Sequence, residues 1–251
     1  MDWTQTAWAM SVTQPEMASN ALRTWIPMIP GARIFIVASR GVAPRDNRRG
    51  VEYHTFTGPL NPDKYMHMWT LLYAANCPIL VKLDTDTVVS PPKVAMFWHN
   101  ISRDSAIYAG STMRTYRLKS RHFEHVNRNA ITPYAYIQGG FEMFTRTAFA
   151  RARPCWTRVR PEHVRDHLTS HCEDALLGIC MRASGIPSLN LEHVSPWKVA
   201  LPACRSFMAF HMVKHNYLRV FKDCVGGYSH SWARSVLADS STSDSAFIIP
   251  M

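Results

Sequence analysis

The order in which apolar runs and helical patterns follow one another constrains this chain most. Residues 7–12 form an apolar run that reads as a strand, and Pro15 opens a helical pattern that continues through Trp25. Arg33–Ser39 (RIFIVAS) is rich in β-branched residues and reads as a second strand. Residues 40–50 form a polar, Arg-rich loop. After Pro62, residues Tyr65, Met68, Trp69, Leu72 and Ala75 recur at helical spacing on one face. Residues 78–83 (PILVKL) form a continuous apolar strand interrupted only by Lys82, and this strand ends on Asp84. Strand–helix–strand–helix–strand order predicts an α/β fold with a mainly parallel central sheet flanked by helices. Such sheets bind ligands at the carboxyl ends of their strands, where the chain changes direction. Asp84 stands where a buried strand gives out, which is a place for a ligand-handling residue.

Further along, residues 92–101 look helical, 106–111 strand-like, and 134–138 strand-like ahead of Gly139-Gly140. Helices are expected at 146–153 and 173–183, with short strands and loops beyond. The chain reads as one domain over residues 1–251, with a core at about 7–220 and a loosely ordered tail at about 236–251. Hydrophobic residues at 47% and charged residues at 18% exclude a disordered chain. A formal charge of +10 favours anionic ligands such as phosphates, nucleic acid or acidic headgroups. A denser basic patch (Arg114, Arg117, Lys119, Arg121 and Arg128, with His122 and His125) reads as a solvated loop face or as a nucleic-acid contact. No helix-turn-helix, zinc-finger or RNP-like motif accompanies it, so no nucleic-acid partner is expected.

No apolar run is long enough to cross a bilayer. The N-terminus has no basic n-region and does not read as a signal peptide. The expected compartment is therefore the cytoplasm if the chain is whole, or the Golgi lumen if it is the catalytic domain of an anchored enzyme. The six cysteines are too dispersed for a disulfide-built scaffold, and none forms a CxxC. Cys172 and Cys180 flank one helix about 12 Å apart, too far to bridge each other. Pairing among the others stays open.

Four segments carry candidate chemistry. In VKLDTDTVV, Asp84 and Asp86 would point to one side of an extended strand and offer oxygen ligands to a hard divalent cation; the same residues also suit a turn. Gly139-Gly140 interrupts a strand-like run either for close approach of a ligand or as a bulge or tight turn before the next helix. Ser170-His171-Cys172-Glu173-Asp174 opens a helix. Ser170 and Glu173 have capping-box spacing, and Asp174 is left free to act as a general base. Its helix should bury Leu176, Ile179, Cys180 and Ala183 on one face. In FMAFHMVKHNYL, His211 and His215 lie four apart and would share a helix face, as metal ligands or as packed core residues.

Taken in order, KLDTDTVV, PYAYIQGGFEMFTR, HCEDALLGICMRASGI and FMAFHMVKH resemble the fringe-like and β-1,3-galactosyltransferase-like glycosyltransferases, an inverting family of GT-A fold. The resemblance spans about residues 7–220. It implies a UDP-sugar donor, a glycan or glycoprotein acceptor, and Mn²⁺ (or Mg²⁺) as cofactor. By the same resemblance Asp86 and His211 hold the metal with Asp84 beside them. Ser11, Thr13, Asp84, Thr85, Gly139 and Gly140 contact the donor, Glu173 lies on the acceptor side, and Asp174 is the catalytic base. The chain departs from the family at Thr85, where a third acidic residue is common, and at Phe141-Glu142 after the glycine pair. A relative that binds nucleotide-sugar or glycan without turnover is the alternative, and a basic nucleic-acid-binding protein a more distant one.

Overall fold

The computed structural model describes residues 1–12, 15–39, 50–56, 61–99, 101–102, 104–114, 135–158, 173–195, 203–211 and 217–225. Its elements run β1 (Thr6–Val12), α1 (Pro15–Arg23), β2 (Arg33–Ser39), β3 (Val51–Phe56), α2 (Asn61–Ala74), β4 (Ile79–Asp84), β5 (Val88–Val89), α3 (Pro91–His99), β6 (Tyr108–Arg114) and β7 (Ala135–Thr145). They continue with α4 (Arg146–Trp156), α5 (Glu173–Ala183), β8 (Ser188–Asn190), β9 (Val194–Ser195), β10 (Ala209–Phe210) and α6 (Tyr217–Cys224). The fold is α/β, with a seven-stranded sheet in the order β3-β2-β1-β4-β7-β6-β8. The β1–β2, β2–β3, β1–β4 and β6–β8 pairs are parallel, whereas β7 runs antiparallel to both β4 and β6.

Side-chain alternation sorts the central strands between two cores. Ala7, Ala9, Phe35, Val37, Leu80 and Phe144 pack under α2, α4 and α5. Trp8, Met10, Ile34, Ile36, Val81, Leu83 and Met143 face the opposite side, with α1 and α3. Because both faces are covered, every residue of β1 is buried, and an uninterrupted apolar run is what such a strand requires. On α2 the expected stripe is met: Tyr65, Met68, Trp69, Leu72 and the following Ala75 are all buried. Helix α5 departs from its expected single face. Asp174 through Met181 are all buried while Ala183 is exposed, so its first turns are enclosed on every side.

The chain lays β1, β2 and β3 outward to one side and then returns to place β4 on the other side of β1. The change of direction falls between β1 and β4, where Ser11 and Asp84 are register partners. That is the crevice in which ligands of open α/β sheets bind. Strand β3 was not anticipated; it is a partly exposed edge strand whose apolar residues are diluted by Glu52, His54 and Thr55.

The glycine pair sits inside one long strand, so no turn separates it from α4, which starts directly after its cap Thr145. The bulge reading holds against β6. The step from Gly110 to Thr112 is matched by the step from Glu142 to Ile137 on β7, which throws Gly139 and Gly140 out of register. His211 follows β10, and α6 begins only at Tyr217, so the expected shared helix face of His211 and His215 is not formed at His211. His215, Thr13, Ser170, His171, Cys172, the basic patch beyond Arg114 and the C-terminal tail lie outside the described residues.

Among the described residues two disulfides answer part of the pairing the sequence left open. Cys155–Cys180 joins α4 to α5, and Cys204–Cys224 ties the chain before β10 to the end of α6; Cys77 is a buried free thiol. The bridges close stretches of 25 and 20 residues, and each should stabilise by about 3 kcal/mol through the unfolded chain. Cys155→Ala/Cys180→Ala should therefore lower the denaturation midpoint clearly in chemical unfolding. An unchanged midpoint would show that α4 and α5 hold each other without the bridge.

Candidate functional site

The site forms at the carboxyl end of β4. Asp84 is the last residue of that strand, and Thr85-Asp86 form a turn closed by the Thr87 amide donating to the Asp84 carbonyl at 3.1 Å. The two carboxylates therefore do not converge through strand alternation, as expected from the sequence. They converge because a turn folds the second back toward the first. The small sheet of β5, β10 and β9 supplies the third member. Phe210 pairs with Val88, and the His211 amide donates to the Ser195 carbonyl at 3.1 Å, which fixes the imidazole over the turn. His211 Nε2 lies 2.8 Å from Asp86 Oδ1 and 3.4 Å from Asp84 Oδ2.

One ligand atom from each of Asp84, Asp86 and His211 falls within 4.8 Å of the others, so this group is able to hold a metal ion. Two carboxylate oxygens and one imidazole nitrogen suit a divalent cation of the hard to borderline kind. Burial works against a charged His211, but the hydrogen bond to Asp86 and the charges of Asp84 and Asp86 outweigh it and raise its pKa. The turn is fastened from behind. Tyr217 donates its hydroxyl to the Thr87 carbonyl at 2.7 Å, and the Thr87 hydroxyl donates to the Gly140 carbonyl at 2.7 Å.

The glycine pair is packed against neighbouring side chains, and Gly140 leaves no room for a Cβ. A Cβ on Gly140 would lie 2.7 Å from His211 Cγ, and one on Gly139 would lie 2.6 Å from Lys82 Nζ. Gly139 also donates its amide to Asp174 Oδ2 at 2.9 Å, while the Ala175 amide reaches Asp174 Oδ1 at 3.0 Å. Asp174 is thus buried at the start of α5, beside the glycine pair. Glu173 is half-buried and hydrogen-bonded to the Tyr65 hydroxyl. That hydroxyl also meets Ser11 and donates to Asp84 Oδ1 at 3.4 Å. Ser11, Asp84, Thr85, Asp86, Gly139, Gly140, Glu173, Asp174 and His211 therefore share one neighbourhood.

Four members of this neighbourhood do not read as site residues in the sequence: Tyr65 reads as part of the core stripe of α2, Lys82 as a break in an apolar run, Glu142 as a departure from the resembled family, and Lys64 has no signal of its own. Lys82 is fully buried, with its ammonium 3.5 Å from both Asp84 Oδ1 and Glu142 Oε1 and 4.6 Å from the centre of the Tyr65 ring. Its signal was present as a charged residue in the middle of a buried strand, matched by Glu142 on β7. Lys64, in the first turn of α2, is 4% exposed and lies 5.3 Å from the centre of the same ring. Burial holds its ammonium below the usual range, with Asp84 and Glu173 pulling the other way.

Three buried carboxyls here, Glu142, Glu173 and Asp174, have raised pKa values. Burial is the main cause at Asp174, raised to about 7 with help from Glu173 and against Lys82. Burial likewise raises Glu142 to about 8 despite Lys82, and raises Glu173 as well.

The chain matches no protein-family model. None of the curated proteins matches it either. Among solved structures it is similar to a Desulfovibrio desulfuricans G20 protein described as a "putative nucleotide-diphospho-sugar transferase". The two are 10% identical, the match covers 94% of this chain and 96% of that one, and the TM-score is 0.48. Likeness at that level says nothing about chemistry, which the side chains themselves must supply.

A carboxyl whose folded pKa lies above its unfolded value binds its proton more tightly in the native state. The stability it contributes is full below the unfolded pKa, roughly pH 4, and is lost as pH rises through the folded value. For Asp174 and Glu142 that window closes at about 7 and about 8. The metal-free chain should therefore lose thermal stability between pH 5 and 8, and Glu142→Gln should flatten the loss. Melting curves across that range test this, and a Tm that does not fall would contradict the raised carboxyls.

Proposed function

We propose that this chain is a metal-dependent, inverting glycosyltransferase of GT-A fold, of the fringe-like and β-1,3-galactosyltransferase-like kind. It would move a sugar such as Gal or GlcNAc from a UDP-sugar to a hydroxyl of a glycan or glycoprotein. One observation carries the reading: a cation-holding group of Asp84, Asp86 and His211 stands beside the glycine pair to which a buried carboxylate, Asp174, raised to about 7, is hydrogen-bonded. A metal group alone serves many reactions, and a perturbed carboxylate alone is often structural. Together, at the carboxyl edge of a sheet, they supply an electrophilic side and a basic side to one substrate pair.

In this reading the Asp174 carboxylate takes the proton of the acceptor hydroxyl. The acceptor oxygen bonds to the anomeric carbon as the bond from that carbon to the diphosphate oxygen breaks, and UDP leaves. A divalent cation, Mn²⁺ or Mg²⁺, held by Asp84, Asp86 and His211 would supply positive charge to the departing diphosphate. Ser11, Thr13 and Thr85 are assigned to the nucleotide side. The backbone of Gly139 and Gly140 lets the donor sugar approach closely. Glu173, the more exposed of the two acids on α5, is assigned to the acceptor.

A base near pKa 7 suits work at neutral pH, because about half of it is deprotonated there and it still takes up a proton readily. Turnover should accordingly rise as pH increases through about 7, where Asp174 loses its proton. Asp174→Asn should cut transfer by roughly 10²–10⁴ while leaving donor binding in place. Full transfer in that variant would rule out Asp174 as base. Asp86→Ala should abolish the dependence of UDP binding on Mn²⁺ in calorimetric titration. UDP binding by the unaltered chain that ignores Mn²⁺ would remove the metal-dependent reading.

A further inference from the structure

Lys82 occupies a position that neither metal binding nor base catalysis requires. It lies one alternation before Asp84 on the same face of β4, so its side chain runs beneath the carboxylate array, fully buried. An ammonium has three hydrogens to place. One goes to the Gly139 carbonyl at 2.5 Å, and the other two face Asp84 Oδ1 and Glu142 Oε1, each at 3.5 Å. The Tyr65 ring covers the remaining side at 4.6 Å. Gly139 in turn donates its amide to Asp174 at 2.9 Å. An unbroken set of contacts therefore runs from Asp84, through Lys82 and Gly139, to Asp174.

We propose that Lys82 is a positioning residue, coupling the cation-holding carboxylate of Asp84 to the Asp174 carboxylate through the backbone of Gly139. This role rests on the transferase reading of the two carboxylates. Lys82 touches no reacting atom; it fixes where Gly139 presents its amide, and that amide fixes where the Asp174 carboxylate stands. The glycine belongs to the device, because a Cβ there would meet the ammonium at 2.6 Å.

Glu142 completes the device. It is opposite Lys82 in the β4–β7 register, is fully buried, and neither of its carboxylate oxygens has a hydrogen-bond partner among the described residues. A buried carboxylate without hydrogen bonds is costly, and a Lys–Glu pair is no better for stability than an apolar pair of similar volume. It gives the ammonium a second carboxyl partner besides Asp84, so a cation that draws charge from Asp84 shifts Lys82, and Gly139 with it, toward Glu142.

The test is the double variant Lys82→Met/Glu142→Gln, which removes both charges at nearly constant volume and should melt close to the unaltered protein. Two readouts need no substrate. Amide exchange at Gly139 should speed up by tenfold or more, and carboxyl-carbon NMR should show the Asp174 midpoint moving up from about 7, since Lys82 is a charge that lowers it. In a turnover assay the acid limb of the pH profile should move the same way, with a fall on the order of 10²-fold from the misplaced base. A folded double variant with unchanged Gly139 exchange and an unchanged Asp174 midpoint overturns the proposal. If the double variant does not fold, the unaltered chain decides: titration with Mg²⁺ alone should shift the Gly139 amide resonance, and an unmoved resonance counts against the coupling. Failure of the unaltered chain to turn over any nucleotide-sugar would remove the transferase reading instead, and the two NMR readouts would still report on Lys82.

Discussion

A single buried ammonium sets the arrangement of this site. Lys82 interrupts a buried strand in the middle of the sheet, and the cost of burying it is offset by groups that converge on it from β4, β7 and α2. Those groups then sit where they do because the ammonium does. Gly139 presents its carbonyl to the ammonium and its amide to Asp174, and Glu142 faces inward opposite Lys82. Remove the charge, and the carboxylates lose the cation that lets them crowd together without all taking up protons.

The topology determines which carboxylates gather there. Placing β4 beside β1, on the side away from β2, brings Asp84 to the reversal of the sheet. The antiparallel β7 then carries Glu142 and the glycine pair alongside it. The peripheral sheet of β5, β10 and β9 extends the same edge and brings in His211 from far along the sequence. The Cys204–Cys224 bridge and the buried Tyr217 hold that extension against the Thr87 turn, and Cys155–Cys180 anchors the helix that presents Asp174. Each arm of the site thus has its own fastening to the core. Bridges of this kind persist in oxidising compartments.

Elements with a strong period were legible in the sequence, and those that depend on distant partners were not. Strand β2 and helix α5 have the bounds their patterns implied, because a β-branched run and a helix buried over its whole first half leave little choice. Strand β3 was missed because an edge strand alternates weakly and its signal was diluted by polar residues. The glycine pair read as a break because sequence cannot show that the strand continues across a register shift with β6. The convergence of Asp84 and Asp86 was anticipated for a reason that does not hold, since a turn performs what alternation was expected to do. Tyr65, Lys64 and Glu142 joined the site only through tertiary contact; on the sequence the first is an ordinary core residue of a helix stripe.

Charge explains why the metal group and the glycine pair belong together. The chain carries +10 overall, yet the site concentrates Asp84, Asp86, Glu142, Glu173 and Asp174 around Lys82, Lys64 and His211. A positive protein field draws an anion toward the surface, but local carboxylates repel it over the last few ångströms, where screening is weakest. An anionic substrate can settle only where those carboxylates are engaged, either by protons or by a cation. The raised pKa values of Asp174 and Glu142 are the proton route, and it closes as pH passes about 7 and about 8. In the proposed transfer a base must have lost its proton to act, so protonation would not both admit the anion and leave Asp174 able to serve as that base. Engagement of Asp84 and Asp86 by a cation, with His211 alongside, avoids that conflict. It neutralises the side of the crevice where a phosphate would lie and leaves the carboxylate on α5 free to accept a proton.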